Sequence, residues 1–246
     1  MLVKACLNGA REPGVHPRLP LTPEQLADDA DACAEFGADA VHLHPRDADG
    51  RESLDVADVA AAVAAVRQRC PQLAIGVTTG AWIVPDPAAR LAAVNAWAEL
   101  DDAARPAFAS VNVAEAGWEQ VASTLLDAGI EVEAGVWDAD DPVRLAASGL
   151  APRLLRVLVE PQATDPDAAI RTADTLIAAL APLTGDRTPL VHGVDGAAWA
   201  VLEWALDAGY DTRIGLEDTL ELPDGNPTPD NASLVAAAYA FLMEPH

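Results

Sequence analysis

The stretch LTPEQLADDADACAEFGADAVHLH, residues 21–44, holds one complete structural unit. Thr22 is a helix N-cap residue, Pro23 suits the first helical position where no amide donor is needed, and Gln25 stands three residues past the cap, the spacing of a capping box. Leu26, Ala30 and Cys33 recur at helical spacing and predict a buried stripe. Gly37 ends the helix and the apolar run Ala38–His44 follows as a strand. Side chains alternate between the faces of a strand, so His42 and His44 project the same way at its end.

The unit repeats along the chain. Val56, Val59, Val63 and Val66 mark a helix before strand Leu73–Thr78, and Pro87 opens another that runs to about Leu100 before strand Phe108–Asn112. Then come Trp118–Ala128 and Ile130–Val136, Pro142–Ser148 and Leu154–Val159, Asp167–Leu180 and Leu190–His192, and Ala197–Ala208 and Thr212–Leu216. With Leu2–Leu7 as the first strand and Asp230–Leu242 as the last helix, eight strands alternate with eight helices. That count closes most economically as a (β/α)₈ barrel. No composition break or Gly/Ser linker divides residues 1–246, so one domain is expected. A doubly wound open sheet is the alternative, but no Gly-x-Gly-x-x-Gly follows the first strand, where a dinucleotide fold places its phosphate loop.

Composition bounds the function. With 246 residues, 51% of them hydrophobic, the chain can bury a full core. A formal net charge of −24 argues against nucleic-acid and anionic-membrane partners, because that field repels phosphate. Lys4 is the single lysine, which reads as genome composition or salt adaptation. Cys6, Cys33 and Cys70 lack any Cys-x-x-Cys spacing and sit in apolar segments, as buried free thiols do. Met1–Leu7 is too short for a signal peptide and no apolar run reaches spanning length, so a soluble cytoplasmic protein is expected.

A barrel of this kind places its chemistry at the C-terminal strand ends. There stand His42 and His44, Thr78 and Thr79, Ser110 and Asn112, Glu160, His192, and the pair Glu217-Asp218 after the eighth strand. Two imidazoles make half of a divalent-metal site, zinc foremost, and Glu217, on the same alternating face as Arg213, is the expected third ligand. A His₂Glu site with open positions polarises a carbonyl oxygen as a Lewis acid. Alternation also puts Lys4, Glu131, Glu133 and Arg156 inside the barrel, where charges persist when paired. A Schiff base on Lys4 is the less favoured reading, since it stands early in its strand.

His42-Leu43-His44-Pro45-Arg46-Asp47, Thr78-Thr79-Gly80, Ala109-Ser110-Val111-Asn112 and Arg213-Ile214-Gly215-Leu216-Glu217-Asp218, four motifs in order at four strand ends, resemble those of the β-keto acid cleavage enzymes. The resemblance covers nearly the whole chain. It implies a zinc-dependent barrel that converts a β-keto acid and acetyl-CoA into acetoacetate and a new acyl-CoA. It implies that His42, His44 and Glu217 hold zinc, that Asp218 is the general base assisted by Arg213, and that Thr79 and Ser110 bind the substrate carboxylate. Family members form homo-oligomers, so a dimer or tetramer is expected, with Leu234–Met243 or the arm Pro13–Pro20 covering a neighbour.

Glu115 and Glu160, with Trp82 and Trp137, follow strands on the same rim and predict acidic and aromatic pocket walls. A neutral or cationic β-keto acid is expected, the neutral case favoured if Glu160 pairs with Arg156. Arg11 and Arg46 are the arginines that would receive CoA. A metal-dependent barrel hydrolase or aldolase using the same site is the alternative function, and a non-catalytic acidic binding protein is a third.

Overall fold

In the computed structural model, which describes residues 1–243, eight parallel strands close into a barrel in sequence order. The chain runs β1 (Val3–Cys6), α1 (Pro23–Glu35), β2 (Ala40–Leu43), α2 (Val56–Arg69), β3 (Ala74–Thr78), α3 (Pro87–Ala96), β4 (Phe108–Asn112) and α4 (Trp118–Asp127). It continues as β5 (Glu131–Val136), α5 (Asp141–Ser148), β6 (Arg156–Val159), α6 (Pro166–Thr184), β7 (Leu190–Val191), α7 (Ala198–Asp207), β8 (Asp211–Ile214) and α8 (Asn231–Met243). This is the (β/α)₈ barrel that the alternation predicts, and the open-sheet alternative falls because β1 pairs with both β2 and β8.

Local chemistry sets the helix starts. Thr22 accepts from the Gln25 amide at 3.3 Å and the Gln25 side chain accepts from the Thr22 amide at 3.1 Å, the reciprocal capping box. Asp86 and Asp165 cap α3 and α6 one way only, each side chain accepting from the amide of an alanine three residues on, and each is followed by proline. Leu26, Ala30 and Cys33 are the buried stripe of α1. Burying a side chain such as Leu26 contributes about 1.5–3 kcal/mol, and that term repeats on every helix facing the barrel. Trp97 is wholly buried beneath α3, its indole donating to the Leu54 carbonyl at 3.1 Å.

Four strands end short of the expectation, β1 at Cys6 rather than Leu7, β2 at Leu43 rather than His44, and two more besides. β7 stops at Val191 and β8 at Ile214, so His192, Leu216 and Glu217 lie beyond their strands. At β8 the reason is local hydrogen bonding: Asp218 and Thr219 donate to the Gly215 carbonyl at 2.8 and 3.0 Å, and Leu216 donates to the Asn231 side chain at 2.6 Å. The chain therefore turns where strand pairing would have continued it. The cysteines are free and buried. No described helix is long and apolar enough to cross a membrane. His246 lies outside the described residues.

The lower barrel holds a closed ion network. Lys4 on β1 pairs with Glu133 on β5, Arg156 on β6 lies 3.3 Å from the other Glu133 oxygen, and Arg156 donates to Asp211 on β8 at 3.2 Å. Lys4 also stands over the Phe108 ring, 5.3 Å from its centroid. This ties up the one lysine as an ion pair rather than as a Schiff-base former. Glu131 corrects the inside-facing expectation: it is exposed, because β5 begins there at the solvent edge. Arg156 is not paired with Glu160, since Glu133 and Asp211 hold it from below.

Candidate active site

A cavity of about 450 Å³ opens at the C-terminal end of the barrel. On its β2 side, the His42 and His44 rings meet edge to face with their Nε2 atoms 3.1 Å apart. Glu217 Oε2 lies 3.9 Å from the first nitrogen and 3.8 Å from the second, is buried, and has no hydrogen-bond partner among the described residues. Two nitrogens each about 2.0–2.1 Å from a tetrahedral ion stand roughly 3.3 Å apart, so the spacing suits a divalent cation. Burial holds His42 well below the usual imidazole range, and Glu217 only partly offsets that, so the ring is neutral as a ligand must be. Burial raises Glu217, but the guanidinium of Arg213 and then the two histidines outweigh it, and its carboxyl stays low.

Supporting residues fix these three. Asn8 accepts from the His44 amide and donates to the His44 carbonyl, both at 2.9 Å. Glu52 Oε1 faces His44 Nδ1 at 2.5 Å, which orients the ring with Nε2 toward the cavity. Gly9, at φ +53, lets the backbone pass so close to Glu217 that any Cβ would collide with that side chain. Glu52 and Asn8 were missed from sequence as site residues. The turn signal Asp49-Gly50 could have found Glu52, because the chain reverses there and Arg46 and Glu52 form an antiparallel bridge.

Beside the triad, one Arg213 nitrogen donates to Glu217 at 2.9 Å and to Asp218 at 2.8 Å. His192 Nδ1 lies 3.3 Å from the same Asp218 oxygen, and its Nε2 lies 3.7 Å from Glu160. Asp218 Oδ2 is buried and without a hydrogen-bond partner among the described residues. Burial would raise the Asp218 carboxyl, but Arg213 and then His192 hold it below the usual range. Burial and Arg213 lower His192, yet Asp218 and Glu160 outweigh them and the ring is raised, favouring the imidazolium. Glu160 is held at about 2: burial opposes, while His192, Arg213 and the Trp137 indole favour the charged form. His192 had been read only as a strand-end histidine; between two carboxylates it belongs to the site.

Other expected site residues separate into wall and frame. Thr78, Ser110, Asn112, Trp82, Trp137 and Glu160 face the cavity. Thr79 does not, since its hydroxyl donates to the Ser110 carbonyl at 2.7 Å, and Thr78 takes its place on the wall. Glu115 is also framework: Arg90 donates to it at 2.9 Å, the Ala81 amide at 3.0 Å and Asn112 at 2.9 Å. Trp82 is 48% exposed, stacks on His44 and donates to Glu52 at 3.0 Å. Arg46 is unavailable to CoA, because it donates to the Gly9, Arg11 and Gly50 carbonyls. Arg11 remains at the mouth, bound to Asp195 at 2.6 Å and to the Leu216 carbonyl.

The beta-keto acid cleavage enzyme family model matches residues 1–244. The chain belongs to that family. Membership of that family weighs against the non-catalytic binding-protein alternative. Within the chain, an 81-residue segment is 32% identical to the 3-keto-5-aminohexanoate cleavage enzyme of Fusobacterium nucleatum, covering 32% of this chain and 30% of that protein. The barrel superimposes on ObcA, in its ternary complex with a C4-CoA adduct and oxalate, with a TM-score of 0.73 at 20% identity over 92% of this chain and 64% of that one. It likewise matches the 3-dehydroquinate dehydratase of Geobacillus kaustophilus, with a TM-score of 0.63 at 11% identity over 99% of this chain and 92% of that one. These two likenesses show the fold. The chain spans less than two thirds of the length of ObcA.

Proposed function

We propose that this chain cleaves a β-keto acid with acetyl-CoA as co-substrate, giving acetoacetate and a new acyl-CoA, with zinc at His42, His44 and Glu217. The observation that carries the reading is the pair of unpartnered buried oxygens, Glu217 Oε2 facing the two imidazoles and Asp218 Oδ2 beside them. When bound, the ion supplies fixed positive charge where a keto oxygen becomes negative. Asp218, kept ionised by Arg213, takes a proton from the carbon between keto group and carboxylate. Ser110 and Thr78 line the cavity where the substrate carboxylate would lie. The enolate attacks the acetyl thioester and releases CoA; CoA then adds to the original keto carbon, and breaking the old carbon–carbon bond expels acetoacetate as its enolate, which takes back the proton from Asp218. Arg11, at the cavity mouth, is the cation placed to meet the anionic cofactor portion. A homo-oligomer remains part of this reading.

The test pairs metal analysis with detection of acyl-CoA from acetyl-CoA and a panel of β-keto acids. One metal per chain and transfer to at least one panel member are expected. Asp218→Asn should lower kcat/KM by about 10²–10⁴-fold while the metal is retained. Water-dependent release of product without acyl-CoA would favour the hydrolase instead.

A further inference from the structure

The cavity wall opposite the histidines contains an arrangement that the cleavage chemistry does not use. Asn112 at the end of β4 turns its amide nitrogen to Glu115, and Glu115 is in turn fixed by Arg90 and the Ala81 amide. With that nitrogen engaged, Asn112 Oδ1 is the atom left facing inward. Glu160, after β6, accepts the Trp137 indole on Oε2, the oxygen also nearest His192, and its backbone carbonyl accepts from Gln162 at 2.9 Å. Among the described residues, no hydrogen bond reaches its Oε1.

These two free acceptors converge. Residue 135 on β5, between the two strands, is glycine; a Cβ there would collide with Asn112 Oδ1 and come within 3.2 Å of Glu160 Oε1. Two lone-pair-bearing oxygens aimed at one point repel each other unless donors lie between them. Both residues line the same cavity as the proposed metal ligands, so the donors would come from whatever fills it.

Charge narrows the choice. Glu160 already has a cationic neighbour in His192, and Arg213 adds positive potential. An ammonium would therefore add charge where the carboxylate is largely matched, whereas a second carboxylate would face two acceptors. We propose that Asn112 Oδ1 and Glu160 Oε1, meeting in front of Gly135, form the subsite that selects the substrate's tail, and that this tail is uncharged with two hydrogen-bond donors, a primary carboxamide. The assignment rests on the β-keto acid reading and specifies its substrate.

The experiment compares kcat/KM for four β-keto acids of matched length, ending in alkyl, carboxamide, ammonium or carboxylate, in parallel with calorimetric binding of each. Two hydrogen bonds, one to a charged acceptor, predict a carboxamide preference over alkyl of roughly 10- to 100-fold in both readouts, with the carboxylate weakest. Glu160→Leu should bring the carboxamide-to-alkyl ratio near one. Equal values for carboxamide and alkyl, meaning that water alone fills the pair, would overturn the subsite, as would preference for the ammonium. If no acid is cleaved, the functional reading fails, and the calorimetric ranking still decides the subsite.

Discussion

Two clusters of charge lie inside this barrel, and they differ in whether their atoms have partners. The lower cluster, Lys4, Glu133, Arg156 and Asp211, joins four strands, and its acidic oxygens all meet cations or amides: Asp211 takes Arg156 on one oxygen and the Leu2 amide on the other. The upper cluster, His42, His44, Arg213, Glu217, Asp218 and His192, is as deeply buried but leaves His42 Nδ1, Arg213 Nε, Glu217 Oε2, Asp218 Oδ2 and His192 Nε2 without hydrogen-bond partners among the described residues. Burying an unpaired polar group costs about 1–3 kcal/mol, so the upper cluster, with five such atoms against Arg156 Nε alone in the lower, costs more folding energy. Both hold an arginine, a glutamate and an aspartate; the upper adds three histidines and the lower a lysine. Incomplete pairing is what marks the upper one as the place where something binds.

The largest test of that contrast is His44→Ala. It removes a ligand from the upper cluster and should abolish metal content and lower kcat/KM by about 10⁴-fold, with a small change in melting temperature, since the rim carries little of the core. Full metal retention would break the comparison. In the lower cluster, Lys4→Met leaves Glu133 with half its cationic neighbours and should cost about 3–5 kcal/mol of stability by denaturant unfolding, without changing metal stoichiometry. The double variant Lys4→Met with Glu133→Leu should recover much of that loss, because an apolar pair replaces a buried ionic one. A single variant as stable as the parent would show that the lower cluster is not structural.

Between these extremes stands Glu52→Gln. Its carboxylate holds His44 from behind, so metal affinity should fall by about 10–100-fold, readable by competition with a chelator, while the protein still folds. Unchanged affinity would leave Glu52 as a partner of the Trp82 indole alone.

The comparison also explains what could be read in advance. The barrel was legible because its signals are local and periodic: the Thr22–Gln25 cap, the Leu26–Ala30–Cys33 stripe and the strand that ends in His42 and His44 all lie within one unit. The triad was legible because strand alternation and strand-end position select His42, His44 and Glu217 without any long-range knowledge. Side chains that face one another across the barrel were not. Thr79 rather than Thr78 as the wall residue, Glu115 as a pocket acid and Glu160 as a partner of Arg156 failed for one reason. Each depends on which neighbour from another element of the barrel reaches it: Ser110, Arg90 on α3 and His192 after β7 respectively. Glu52 was missed because a turn, not a period, carries it back to His44.

The smallest expected effect lies at the outer edge of the upper cluster. Asn231 accepts from the Leu216 amide, one residue before Glu217, and donates to the Leu7 carbonyl at 2.8 Å and to Asp29 on α1 at 2.5 Å. Burial pushes the Asp29 carboxyl up to about 7; the Asn231 hydrogen bond lowers it, nearby Asp230 raises it and Arg18 lowers it. This is the reverse of Asp218, whose cations hold it low. For Asp29 the folded chain binds a proton more tightly than the unfolded chain, whose carboxyl titrates near 3.8. Between those values the native state keeps a proton that the unfolded state has lost, so the Asp29 contribution to stability falls as pH rises to about 7 and is flat above it. Asp29→Asn removes the titration and leaves an oxygen to accept from Asn231. The variant should exceed the parent in melting temperature by about 2–4 °C at pH 8, the shift that roughly 1 kcal/mol gives a chain of this size once solvent screening of a half-buried group is allowed for. The gap should close toward pH 4. A difference that stays constant from pH 4 to pH 8 would mean that Asp29 is charged throughout and that this strut, like the acids of the lower cluster, is already fully paired.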